Sequence, residues 1–113
     1  MANRIAELAP LFHALSDRTR LEVMERLAEG SATVGELAVP TGLRLPTVMK
    51  HLSVLEEAGL ISSEKKGRTR VCSAVPGAMD PVRTFMDAQR DAWEARLARL
   101  DEFVVTPRKD ETE

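Results

Sequence analysis

At 113 residues, 43% hydrophobic and 30% charged, the chain is long enough for one domain with a modest core and too evenly composed for a disordered polymer. Its longest apolar runs are a few residues, so no membrane span is expected, and the opening "MANRIAELAP" lacks the profile of a secretion signal, so a cytoplasmic protein is expected. A single cysteine, Cys72, excludes an internal disulfide and a cysteine-built zinc cluster within one chain, and the net charge of −2 argues by itself against nucleic acid.

"RIAELAPLFHAL" sets Ile5, Leu8, Leu11, Phe12 and Leu15 at helical spacing, with Pro10 as a kink or break. In "SDRTRLEVMERLAEG" Ser16 or Asp17 can cap a second helix, with Leu21, Met24 and Leu27 as its apolar face and Gly30 at its exit. "TVGELAVPTG" opens on Thr33 with Glu36 three residues on, a capping box, and Pro40 and Gly42 stop that helix early. In "LRLPTVMKHLSVLEEAGL" the stripe Val48, Leu52 and Leu55 points inward, and Gly59 ends the helix. The period then changes. Ile61 and the run Val71 to Val75 flank "KKGR" as two strands of a hairpin with Gly67 in its turn. "DPVRTFMDAQRDAWEARLARLDEFVV" predicts one long helix with Pro81 near its start. Val82, Met86, Trp93, Leu97, Leu100 and Val104 lie on one stripe of it.

The predicted fold is therefore mainly α with a small β-hairpin wing, in the order α-α-α-α-β-β-α. A domain over residues 1–106 is followed by a flexible charged tail over 107–113. A short helix joined to a longer one through "VPTGLR" is a helix-turn-helix, and a basic hairpin directly behind it makes a wing. Charge distribution agrees with a nucleic-acid partner. Residues 44–78 carry six basic and three acidic side chains, whereas residues 1–43 carry four and six and residues 79–113 carry six and nine. A local basic patch matters more to phosphate than the total.

"FHALSDRTRLEVMERLAEGSATVGELAVPTGLRLPTVMKHLSVLEEAGLISSEKKGRTRV" resembles the ArsR family of bacterial winged helix-turn-helix repressors, most specifically in "KHLSVLEEAGLI" and the basic hairpin after it. The resemblance implies a homodimer joined through the first and last helices and an inverted-repeat operator in double-stranded DNA. It also implies release on a signal, an unidentified small molecule or protein. Metal-sensing members open the third helix with Cys-Val-Cys, where this chain has Thr33 and Gly35. Others use histidines of the last helix, and no histidine follows His51. No metal site and no cofactor are expected. The last helix, with "WEARLARL", looks like a non-metal branch.

Within the reading helix the family commonly places Ser, Gln and Ser where Arg44, Leu45 and Met49 stand. Leu45 and Met49 cannot donate a hydrogen bond to a base. Either they fill gaps against the wing or the preceding helix, or at least one reads a thymine methyl in an A·T-rich half-site. Arg44 occupies a cap position where a cation opposes the helix dipole by about a few tenths of a kcal/mol. A phosphate there would accept the free N–H groups and pair with Arg44. Lys50 faces phosphate, His51 divides evenly between a DNA contact and a structural bond, and Thr47 and Ser53 are lesser hydrogen-bonders. In the wing, Lys65, Lys66, Arg68 and Arg70 reach the adjacent minor groove or its phosphates.

The stripe of the last helix is too long to bury within one chain. Pairing Met86, Trp93, Leu97, Leu100 and Val104, with Ile5, Leu8 and Phe12, against a two-fold mate is the economical answer. The mixed charge of its other face disfavours a membrane. Cys72 reads as a small core residue, with a redox-sensing thiol aided by Arg70 or an intermolecular disulfide as alternatives. No Gly-rich phosphate loop and no nucleophile–base pair are present, so an enzyme is not expected. Three functions follow: a repressor without a metal sensor, a repressor switched by oxidation at Cys72, and a winged-helix module that binds protein.

Overall fold

A computed structural model describes the backbone of residues 4–111 and the side chains of residues 4–100. Two compact units result, residues 1–80 and residues 81–113. In the first, α1 (Arg4–Ala14) and α2 (Arg18–Leu27) precede a short strand β1 (Ala32–Thr33), α3 (Val34–Ala38) and a 3-10 turn over Val39–Thr41. Then come α4 (Leu45–Glu57), β2 (Ile61–Lys66) and β3 (Thr69–Ala74). The second unit belongs to α5 (Asp80–Glu111), a helix whose bounds take in part of the segment expected as a tail.

Local chemistry accounts for most element ends. Asp17 caps α2 by accepting the Arg20 amide at 3.1 Å. Thr33 and Glu36 form the predicted capping box, with the Thr33 hydroxyl accepting the Glu36 amide at 3.0 Å and the Glu36 carboxylate accepting the Thr33 amide at 2.9 Å. Between α3 and α4, Thr41 donates to the Ala38 carbonyl at 2.7 Å and accepts the Leu43 amide at 3.0 Å. Gly42 then turns the chain at φ +70°, a conformation a side chain disfavours. Pro10, expected to kink or break α1, lies inside one continuous helix.

Two expectations need correction. The hairpin is not alone: β1 joins it in a three-stranded antiparallel sheet of order β1-β3-β2, with Ala32 opposite Cys72 and Thr33 opposite Val71. Two residues are too few to show a period, so the strand was invisible in sequence. The face of α2 is also rotated. Leu21 is 51% exposed, and the buried positions are Arg20, Val23 and Leu27, an equally regular i, i+3, i+7 set that admits a charged residue. The core of the first unit is closed by Leu11 and Ala14 of α1, Val23 and Leu27 of α2, Val48, Leu52 and Leu55 of α4, and Leu60 and Ile61. Burying Val48, Leu52 and Leu55 fixes which side of α4 is left to the outside.

Candidate nucleic-acid interface

With that stripe turned inward, Thr47, Lys50 and Ser53 stand exposed along the outer face of α4, as do Leu45 and Met49 at 53% and 40%. Neither apolar residue is in the core. Both line an open depression of about 300 Å³ whose other walls are Val34 and Gly35 of α3 and Arg68, Thr69 and Arg70 of the wing. The two sequence readings of this pair thus share one geometry: the side chains lean on the gap between helix, wing and preceding helix, and the gap remains open to a partner.

Arg44 holds the N-cap position with φ −72° and ψ 150° and makes no capping bond with its side chain. The supply of free amides behind it is smaller than expected. Pro46 has no N–H, and the amides of Thr47 and Val48 both turn back to the Arg44 carbonyl, at 3.0 and 3.1 Å. An anion at this end would therefore meet the guanidinium of Arg44 more than a ring of amides.

The wing concentrates charge against its own interest. Lys65 lies directly opposite Arg70 across β2 and β3, and like charges in register repel. Lys66 pairs with Thr69, which leaves Gly67 and Arg68 as a two-residue turn, and Gly67 supplies the positive φ of +65° that such turns require. Alternation along the strands places Lys65 and Arg70 on the face of Ile61 and Cys72, with Lys66 on the other. Arg70 also donates to the Ser63 hydroxyl at 3.0 Å, and Ser63 donates to the Glu56 carboxylate of α4 at 3.2 Å. That chain braces the wing against the reading helix. Glu56 and Ser63 were missed in the sequence, where nothing in their spacing marks a contact seven residues apart through a turn.

His51 is engaged within the fold through one of its ring nitrogens. Its Nδ1 lies 3.0 Å from Arg20 Nη1 and 3.7 Å from an Asp17 carboxylate oxygen. Arg20, also missed, is a buried cation whose only sequence signal was its register with Val23 and Leu27. The Asp17 carboxyl is held below its ordinary value, chiefly by the Arg20 amide, against a smaller opposing effect of burial and with help from His51.

Cys72 is 1% exposed. Burial pushes its thiol up from the ordinary value, Glu56 adds to that, and Arg70 opposes it. Such a thiol carries little thiolate.

Among residues expected at a dimer contact, Leu8 is 4% exposed and fills the core of the first unit, whereas Ile5 and Phe12 are exposed. On α5, Met86, Trp93, Leu97 and Leu100 are exposed, and Val104 lies outside the described side chains. Among the described residues no three His, Cys, Asp or Glu side chains gather as for a metal ion, and no helix is long and apolar enough to cross a membrane.

Residues 15–64 match the helix-turn-helix domain family. The chain is 40% identical over 76 residues to the HTH-type transcriptional regulator Rv2034 of Mycobacterium tuberculosis, spanning 67% of this chain and 71% of that protein. It is 34% identical over 58 residues to the transcriptional repressor SdpR of Bacillus subtilis, spanning 51% of this chain and 64% of the relative. The crystal structure of an ArsR family transcriptional regulator superposes with a TM-score of 0.76 at 40% identity, over 83% of this chain and 97% of that one. The chain therefore belongs to the ArsR family of winged helix-turn-helix transcriptional regulators, DNA-binding proteins and not enzymes.

Proposed function

We propose that the protein is a cytoplasmic homodimeric repressor that binds an inverted-repeat operator and senses no metal. The observation that carries the reading is the open depression in which the exposed pair Leu45 and Met49 faces the wing arginines Arg68 and Arg70. Arg44, Lys50, Lys65, Lys66, Arg68 and Arg70 supply affinity through phosphates, with Thr47 and Ser53 as lesser contacts. Leu45 and Met49 supply discrimination through thymine methyls and groove shape. Repression as the outcome is supported by the relative named a transcriptional repressor.

Dimerisation is supported by the apolar stripe Met86, Trp93, Leu97 and Leu100, too large to leave in water, with Ile5 and Phe12 as further exposed apolar positions. Absence of metal sensing is supported by residue type: Thr33 spends its hydroxyl on the capping box, and Gly35 has no donor atom. Burial and the raised thiol of Cys72 weigh against the oxidation switch. The inducer, small molecule or protein, is left to experiment.

Selection of duplexes from a random pool, with sedimentation of the free protein, tests this reading. Enriched sequences should be A·T-rich inverted repeats, and the protein should sediment as a dimer that Trp93→Glu converts to monomer. A pool with no enriched sequence, or a monomer at micromolar concentration, contradicts it.

A further inference from the structure

The guanidinium of Arg20 is buried, and each of its three nitrogens is spoken for. Nε donates to the Ala14 carbonyl at 2.7 Å, Nη2 to the His13 carbonyl at 3.2 Å, and Nη1 meets His51 Nδ1 at 3.0 Å. The first two bonds reach the C-terminal carbonyls of α1, that of Ala14 and that of His13, which also accepts the Ser16 amide at 3.1 Å and the Ser16 hydroxyl at 2.7 Å. The third reaches α4, 31 residues further along the chain. One buried side chain therefore ties the end of α1 to the middle of the reading helix.

The chemistry of this third bond is one-directional. An arginine has donors and no acceptor, so His51 Nδ1 must offer a lone pair, and the ring must be neutral with its proton on Nε2. A protonated ring has no lone pair at Nδ1 and places a second cation beside Arg20. Asp17 stands ready on the same side: its carboxylate oxygen is 3.7 Å from Nδ1 and already accepts the Arg20 amide that starts α2. Protonation thus exchanges a bond to Arg20 for an attraction to Asp17, and moves the ring that anchors α4. From α1, His13 meets the same guanidinium through its carbonyl. Glu36 of α3 is tied to Thr33, and β2 meets α4 through Ser63 at Glu56.

We propose that Arg20 and His51 form a proton-sensitive latch that positions the reading helix: with His51 neutral, α4 is held to the end of α1 in the DNA-binding pose, and with His51 protonated the latch opens toward Asp17. Arg20 and His51 are positioning residues here, and His51 acts through Arg20 without touching DNA.

Binding of a duplex selected from a random pool is measured by fluorescence anisotropy from about pH 8 to about pH 5.5. His51→Asn keeps an acceptor for Arg20 and does not titrate, so its profile is the baseline for every other group. Relative to it, the wild type should lose affinity roughly tenfold toward acid, the equivalent of one hydrogen bond to a charged group. His51→Leu should bind that much more weakly at every pH. A wild type that gains affinity toward acid relative to His51→Asn would show a direct phosphate contact and overturn the latch, as would two identical profiles. The nitrogen spectrum of the free wild-type protein needs neither variant nor DNA. Wherever the ring is neutral it should show His51 as the Nε2–H tautomer, and an Nδ1–H tautomer overturns the proposal by itself.

Discussion

Arg44 begins the reading helix with nothing of its own to close the first turn, and Leu45 and Met49 follow where hydrogen-bonding side chains are the commoner choice. Each is unfavourable for an isolated helix, and each becomes reasonable beside a phosphate backbone and a groove with methyl groups. Asp17 is the opposite case, a residue whose work is finished within the fold. Because the Arg20 amide holds its carboxyl below the ordinary value, the stabilisation it gives is fully present above the ordinary carboxylate range and is lost as pH falls through the depressed value. Asp17→Ala should cost about 1 kcal/mol at neutral pH by chemical denaturation, as for other lost N-caps. The gap between variant and wild type should narrow as pH falls below about 4, the ordinary range of an aspartate. A gap that stays constant into acid would show that the cap is not the source.

At the scale of elements, the wing is a hairpin that sets Lys65 against Arg70 and keeps its shape through Gly67, the Ser63–Glu56 brace and the edge strand β1. Repulsion in register is a small, standing cost that a phosphate partner relieves. Arg68→Ala at the tip should leave stability unchanged and lower the slope of log affinity against log salt by about one, equally for specific and unrelated duplexes. A change confined to one sequence would assign Arg68 to base readout. The helices, the turn at Gly42 and the hairpin were legible because each rests on a local signal: a capping box, a stop at Pro40 and Gly42, a change of period at Ile61. What escaped was non-local. β1 exists because Cys72 and Val71 lie opposite it, Leu21 points outward because Arg20 takes the inner register, and His51 belongs to Arg20, 31 residues away. None of these contacts leaves a mark in a window of a dozen residues.

For the molecule as a whole, a net charge of −2 conceals a basic middle third between two acidic flanks, and the proposed function gives DNA the face that carries that third. In the proposed dimer that face is presented twice, and half-site spacing follows from the two-fold axis. In the proposed function the labour of binding is divided: cations at Arg44, Lys50 and the wing would give affinity that any duplex can use, and the pair Leu45 and Met49 would give preference for sequence. One comparison reaches that division directly, the affinity of wild type and Met49→Ala for a selected duplex and for a scrambled duplex of equal length. Between about 50 and about 200 mM salt, both proteins should lose affinity for both duplexes with the same slope, since the phosphate contacts are untouched. Met49→Ala should bind the selected duplex about five- to tenfold more weakly, roughly 1 kcal/mol for a lost apolar contact at the low end of base discrimination, and the scrambled duplex as well as wild type does. Equal weakening on both duplexes, or no weakening on either, would contradict the account.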